Sequence, residues 1–125
     1  MKGGQRMFNI DVMSRTPVYE QLVEQVEMMI LTGVMKSNDK MPSVRNLSGS
    51  LSINPNTIQK AYTELDRKGL ITSVPGKGSF ISANAKEIIG NDKREKFDDL
   101  RSLLVEMKMA GIGKDEILEL IREVY

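Results

Sequence analysis

The stretch NPNTIQKAYTELDRKG, residues 54 to 69, has both ends of a helix written into it. Asn54 is a favoured N-cap, and Pro55 brings the right φ to a first helical position, where its missing N–H would have no partner anyway. Gly69 is a natural C-terminal stop. Between them Ile58, Ala61, Tyr62 and Leu65 recur at helical spacing, so one face is buried and Asn56, Gln59, Lys60 and Thr63 stand on the other. Directly afterwards come two short β-prone runs, LITSV and SFI, on either side of PGKG, a Pro-Gly type II turn signal. This sequence predicts a helix over 55–68 followed by a hairpin whose wing-like tip is 74–79.

The segments before it continue the pattern. After Pro17, the residues Val18, Leu22, Val26 and Ile30 form an apolar stripe that Gly33 ends. In MPSVRNLSGSLS, Ser43 can cap a short helix with Val44, Leu47 and Leu51 facing inward and Arg45 outward. Only the turn SIN separates that helix from the one at 55–68. Earlier still, MFNIDV alternates Phe8, Ile10 and Val12 with polar residues, which suggests a short extended segment entering the fold.

From SANAKEIIGNDKREK onward the composition turns polar, which places a boundary between a domain at 1–82 and a tail at 83–125. In the tail Phe97, Leu100, Leu104 and Met107 form one helical stripe, and beyond the break GIG a second contains Ile117, Leu118, Leu120, Ile121 and Val124. Two such short helices form a hairpin too small to bury its own apolar surface, so these faces call for a partner: the rest of the chain or a second copy. Phe97, Leu100, Leu104, Met107, Ile117, Leu120 and Ile121 are the expected dimerisation residues. The fold class that follows is mainly α with a small β-hairpin (α+β): a winged helix-turn-helix followed by a C-terminal helical hairpin.

Composition narrows the function. The chain of 125 residues has neither cysteine nor histidine, which removes thiolate metal sites, cysteine nucleophiles and the usual neutral-pH general base. An enzyme is not expected, and neither is a metal or cofactor. Asp98, Asp99, Asp115 and Glu116 read as solvated faces and acidic first turns rather than ligands, and methionines such as Met28, Met29, Met107 and Met109 as core gap-fillers. No apolar run reaches membrane-span length, and MKGGQRMF lacks the apolar stretch of a secretory signal, so a cytoplasmic protein is expected. Net charge is +1, but it is unevenly spread: residues 14–82 carry eight basic and six acidic groups, residues 83–125 eight and ten. A polyanion-binding face belongs to the first part.

A winged helix-turn-helix presents its second helix to the DNA major groove by its N-terminal end, where free N–H groups and the helix dipole favour phosphate. Asn54, Asn56, Thr57 and Gln59 cluster at that end. Asn and Gln can pair bidentately with adenine, Thr can touch a thymine methyl, and Lys60 can reach guanine or phosphate.

At this point the stretch from PVYEQL to GKGSFI resembles the DNA-binding domain of the GntR family of bacterial transcription regulators. PSVRNL, NPNTIQKAY, ELDRKGLI and GKGSFI stand in that family's order and spacing. The resemblance implies that Arg45 contacts phosphate or guanine, and that Gly76 and Lys77 form the wing tip near the minor groove. Many relatives carry arginine in or beside the recognition helix where this chain has Pro55, Gln59 and Lys60, which implies an A·T-leaning half-site. The short two-helix tail is similar to that of the YtrA-type branch, where it implies a homodimer that represses from a palindromic operator in double-stranded DNA. No effector is legible. Two other readings stand beside this one: a winged helix used for protein interaction, against which Arg45, Lys60 and Lys77 speak, and a small-molecule sensor with a pocket at the dimer interface.

Overall fold

The structure is a computed structural model that describes residues 7–125; the opening MKGGQR, part of the stretch read above for a signal, lies outside the described residues. The elements run α1 (Val18–Leu31), α2 (Val44–Leu51), α3 (Pro55–Arg67), β1 (Ile71–Val74), β2 (Gly78–Ile81), α4 (Ala85–Arg94), α5 (Phe97–Met109) and α6 (Lys114–Val124). They divide into two compact units, one through Gly90 and one from Asn91 to Tyr125. No helix among the described residues is long and apolar enough to cross a membrane.

In the first unit the predicted stripes converge on one core. Leu22, Val26 and Ile30 of α1, Leu47 of α2, and Ile58, Ala61, Tyr62 and Leu65 of α3 are all buried, with Leu70, Ile71 and Ile81 from the hairpin. Val44 and Leu51 pack against it half-buried. The caps form as the local sequence dictates. Ser43 accepts from the amide of Asn46 at 3.0 Å, and Asn54 from that of Asn56 at 2.8 Å. At the other end of α3, Gly69 at φ +81° donates to Asp66, and Leu70 donates to Leu65. This pair of bonds is a Schellman closure, which turns the chain directly into β1.

The tyrosine in the middle of α3 does a second job. Its buried hydroxyl donates to the Pro42 carbonyl at 2.5 Å, and burial pushes the phenol's pKa well above its ordinary value. Tyr62 therefore ties the capping loop of α2 to α3, fixing the angle at which α3 is presented. At the C-cap of α3, Lys68 reaches Glu27 of α1 at 3.1 Å.

Of the methionines read as core gap-fillers, Met29 is buried, but Met28 lies on the outer side of α1 and is exposed, as is Met109 in the tail, with Met107 half-buried. Two further features of this unit differ from the sequence reading. The extended segment at 7–12 forms no strand; Phe8 is buried but Val12 is exposed. Its backbone is satisfied instead by two glutamine side chains one turn apart on α1. Gln25 accepts from the Asn9 amide at 2.8 Å and donates to the Asn9 carbonyl at 2.7 Å, while Gln21 does the same at Asp11, 2.9 Å in each direction. Each primary amide offers the donor and acceptor that a neighbouring strand would offer. The second difference is the boundary. Ser82 donates to Leu70, Ser37 donates to the Ala83 carbonyl, and Ala85 and Ile89 of α4 are buried in this core, so the unit continues well past the 82/83 composition shift.

The second unit contains the expected helical hairpin, α5 and α6 joined through GIG. It has no buried residue in either helix.

Candidate nucleic-acid interface

The helix α3 has its apolar face in the core, so Asn56, Gln59, Lys60 and Thr63 are exposed. At its N-terminal end Pro55 occupies the first helical position and is exposed, while Thr57 is half-buried and less available than its neighbours. Asn54 is exposed, but its side-chain carbonyl is committed to the cap, which leaves its amide nitrogen as the group free to read. Gln59 donates weakly to the Thr63 hydroxyl at 3.4 Å, one turn along the same face.

The wing lies beside that face. Strands β1 and β2 pair antiparallel with Ile71 opposite Ile81 and Val74 opposite Gly78. The tip is a type II turn: Lys77 donates to the Val74 carbonyl at 2.9 Å, Pro75 leads, and Gly76 at φ +76° takes the left-handed position that a side chain would resist. The other edge of β2 is also occupied. Ile81 donates to Asp39 and Met41 donates to Ser79, each at 2.8 Å, with Lys40 bridged antiparallel to Phe80. A third chain segment thus stiffens the wing, and the sequence had shown only a two-stranded hairpin.

Between α3 and the wing runs a groove of about 790 Å³. Gln59 and Thr63 line it from the helix, Gly76 and Lys77 from the wing tip, and Lys40 from the third segment. Of the residues singled out from sequence, Gln59, Gly76 and Lys77 share this groove, whereas Arg45, Asn54, Pro55, Asn56, Thr57 and Lys60 are not part of its lining. Arg45 is exposed on the first turn of α2. Lys60 is drawn to α1, its ammonium 4.1 Å from the centre of the Tyr19 ring, a cation–π distance. Partial burial and then the Glu20 carboxylate, which accepts from its hydroxyl at 3.2 Å, hold the Tyr19 phenol above its ordinary pKa.

Other charges on this side are engaged within the fold. Arg67 binds Glu64 through two guanidinium nitrogens, and this hydrogen bonding holds the Glu64 carboxyl below the usual value. Lys40, by contrast, enters the sequence reading only as one of the eight basic groups of residues 14–82. It sits next to PSVRNL in a stretch with no pattern of its own, and only its pairing with Phe80 brings it to the wing.

Helix, three-residue turn, capped helix with a polar outer face, and a stiffened wing flanking a basic groove: this fold and surface define a winged helix-turn-helix DNA-binding domain. Residues 18–81 match the family of bacterial regulatory proteins named gntR. The HTH-type transcriptional repressor YtrA of Bacillus subtilis is 40% identical over 119 residues, covering 94% of this chain and 92% of that protein. A crystal structure of a transcriptional regulator from Oenococcus oeni superposes with a TM-score of 0.74 at 32% identity, covering 92% of this chain and 96% of that one. The DNA-binding domain of AraR, crystallised in complex with an operator, matches with a TM-score of 0.54 at 26% identity over 60% of this chain and 96% of that one. The chain belongs to the GntR family. It is a transcription regulator with a DNA-binding domain, and its relatives YtrA and the Oenococcus oeni protein are regulators rather than enzymes.

Proposed function

We propose that the chain is a dimeric repressor that binds a palindromic operator in the cytoplasm through the recognition helix 55–68 and the wing 74–79. The observation that carries this reading is the groove in which exposed Gln59 faces the Gly76–Lys77 wing tip across a basic channel. A helix edge that reads bases and a wing that anchors on phosphate need that juxtaposition. Asn56 and Gln59 supply the amides that pair with adenine, and with no arginine on the outer face of α3 before Arg67 the half-site leans toward A·T. Arg45 and Lys77 supply phosphate contacts.

Dimerisation through the tail follows from its exposure. Phe97, Leu100, Leu104, Leu120 and Ile121 are exposed, and Met107 and Ile117 only half-buried, so pairing two copies removes apolar surface that one copy leaves in water. A two-fold dimer presents two recognition helices and so requires a two-fold site. The similarity to the YtrA repressor supports repression as the outcome of binding.

Selection of bound duplexes from a random pool tests the reading. The expected product is a motif with two-fold symmetry and A·T-rich half-sites. Gln59→Ala should cost about 1–3 kcal/mol on that motif and relax the preference at particular base pairs. A pool that converges on no two-fold motif would overturn the proposal.

A further inference from the structure

We infer that Lys40 is a second phosphate-binding residue of the wing, held in place by the backbone pairing of Asp39–Met41 to β2 and given its path by the absence of a side chain at Gly78. The inference rests on the operator-binding reading above and adds a residue to it.

Three observations carry it. The backbone around Lys40 is fixed on both sides, by Ile81 donating to Asp39 and Met41 donating to Ser79, so the residue is part of a sheet although it belongs to no hairpin. Its stem crosses β2 at Gly78, where a Cβ would lie 2.9 Å from the Lys40 Cε and 3.8 Å from its Nζ. Gly78 also sits at φ +115°, a conformation L side chains rarely adopt, so the crossing point is kept bare twice over. Finally, Lys40 is exposed in the groove, and none of the ion pairs among the described residues engages it.

That last point separates it from the other cations nearby. Lys68 is paired with Glu27, Arg67 with Glu64, and Lys60 lies on the Tyr19 ring. Lys40 and Lys77 remain as the two lysines that line the groove, one along the wing strand and one at its tip. The acidic group that shares the lining, Asp66, faces the Ser73 hydroxyl at 3.4 Å. The pinned backbone has no freedom left to lose when a phosphate arrives, only the lysine side chain does, and no ion pair among the described residues has to be broken first.

The test is a titration of the full-length chain against the selected duplex and against a scrambled duplex of the same length, over a range of salt concentrations. Lys40→Gln should weaken both by a similar factor, about fivefold near 0.15 M salt, and flatten the log–log salt slope by about one unit. Lys40→Arg should restore most of both. The control is Lys86→Gln, which removes the same charge from an exposed position outside the groove and should leave the slope nearly unchanged. Circular dichroism of each variant checks that the fold is kept. If Lys40→Gln matched Lys86→Gln, the phosphate contact would be wrong while the operator reading stood. A change of base preference in Lys40→Gln would equally overturn it, by showing that the lysine reads bases. If the unaltered chain enriched no DNA at all, both readings would fall together.

Discussion

Leu65 and Leu120 sit on helices of nearly equal amphipathic character, yet Leu65 has no accessible surface and Leu120 is 53% exposed. The whole molecule divides the same way. Every buried apolar residue described lies between Phe8 and Ile89, and none lies in α5 or α6. An apolar stripe states that a helix needs covering; it does not say what covers it. In the first unit α1, α2, α3, the start of α4 and a small sheet cover one another, whereas the tail has two helices and no third layer. The tail's stripes are therefore best understood as half of something, and the first unit as whole.

The sharpest way to break this contrast is to cut between the regions. A chain ending after Arg94 keeps Ala85 and Ile89, which the core needs, and loses both tail helices. It should remain folded and, on the proposed dimer reading, be monomeric. Tethering two reading heads raises effective concentration enough to gain roughly 10²–10⁴ in affinity without new contacts. The truncated chain should therefore lose that factor on a two-fold site while binding a half-site as before. Sedimentation together with titration on both DNAs reads the result; a truncated dimer with undiminished affinity would assign the tail some other task.

Substitution within each region sharpens the same point at smaller scale. Leu65→Ala empties a fully buried site and should cost about 2–5 kcal/mol in urea unfolding, whatever the protein concentration. Leu104→Ala, at a position 37% exposed in one copy, should cost less, and if the tail pairs as proposed its cost should vary with protein concentration, because a second copy would supply the burial it removes. Equal, concentration-independent losses at the two positions would mean that the tail has a core of its own.

What could be read in the sequence was local. Caps at Ser43 and Asn54, the stop at Gly69, the Pro-Gly wing turn and every helical stripe are signals within one turn or one hairpin, and all took the expected form. What could not be read was made by residues far apart. Gln21 and Gln25 look like ordinary polar positions until their amides are seen closing the backbone at Asn9 and Asp11. Lys40 looks like loop charge until its pairing with Phe80 places it in the groove. The candidate site was legible to the same extent: Gln59 and the wing tip follow from periodicity and turn chemistry. The diversion of Lys60 to Tyr19 and the commitment of the Asn54 carbonyl to its cap depend on contacts that periodicity does not encode.

The smallest predicted effect concerns how the helices begin. Both helices of the helix-turn-helix start on a side-chain cap, whereas α5 and α6 start on Lys96 and Gly113 with none. Gly113 already has the extended backbone of an N-cap, φ −79° and ψ 158°, and a Cβ there would meet nothing within 4 Å. Glu116 stands three residues on, the second half of a capping box whose first half is missing. Gly113→Ser completes it: the new hydroxyl can accept from the amide of Glu116, and the Glu116 carboxylate can reach back to the amide of residue 113. Glycine is itself a tolerable N-cap, so the gain should be only a few tenths of a kcal/mol. It should appear as slower amide hydrogen exchange in the first turn of α6, with exchange in α2 and α3 unchanged. If protection in α6 did not rise, that turn would already be held by contacts outside its own sequence, and the view of the tail as a region waiting for its cover would have to be narrowed to its apolar faces alone.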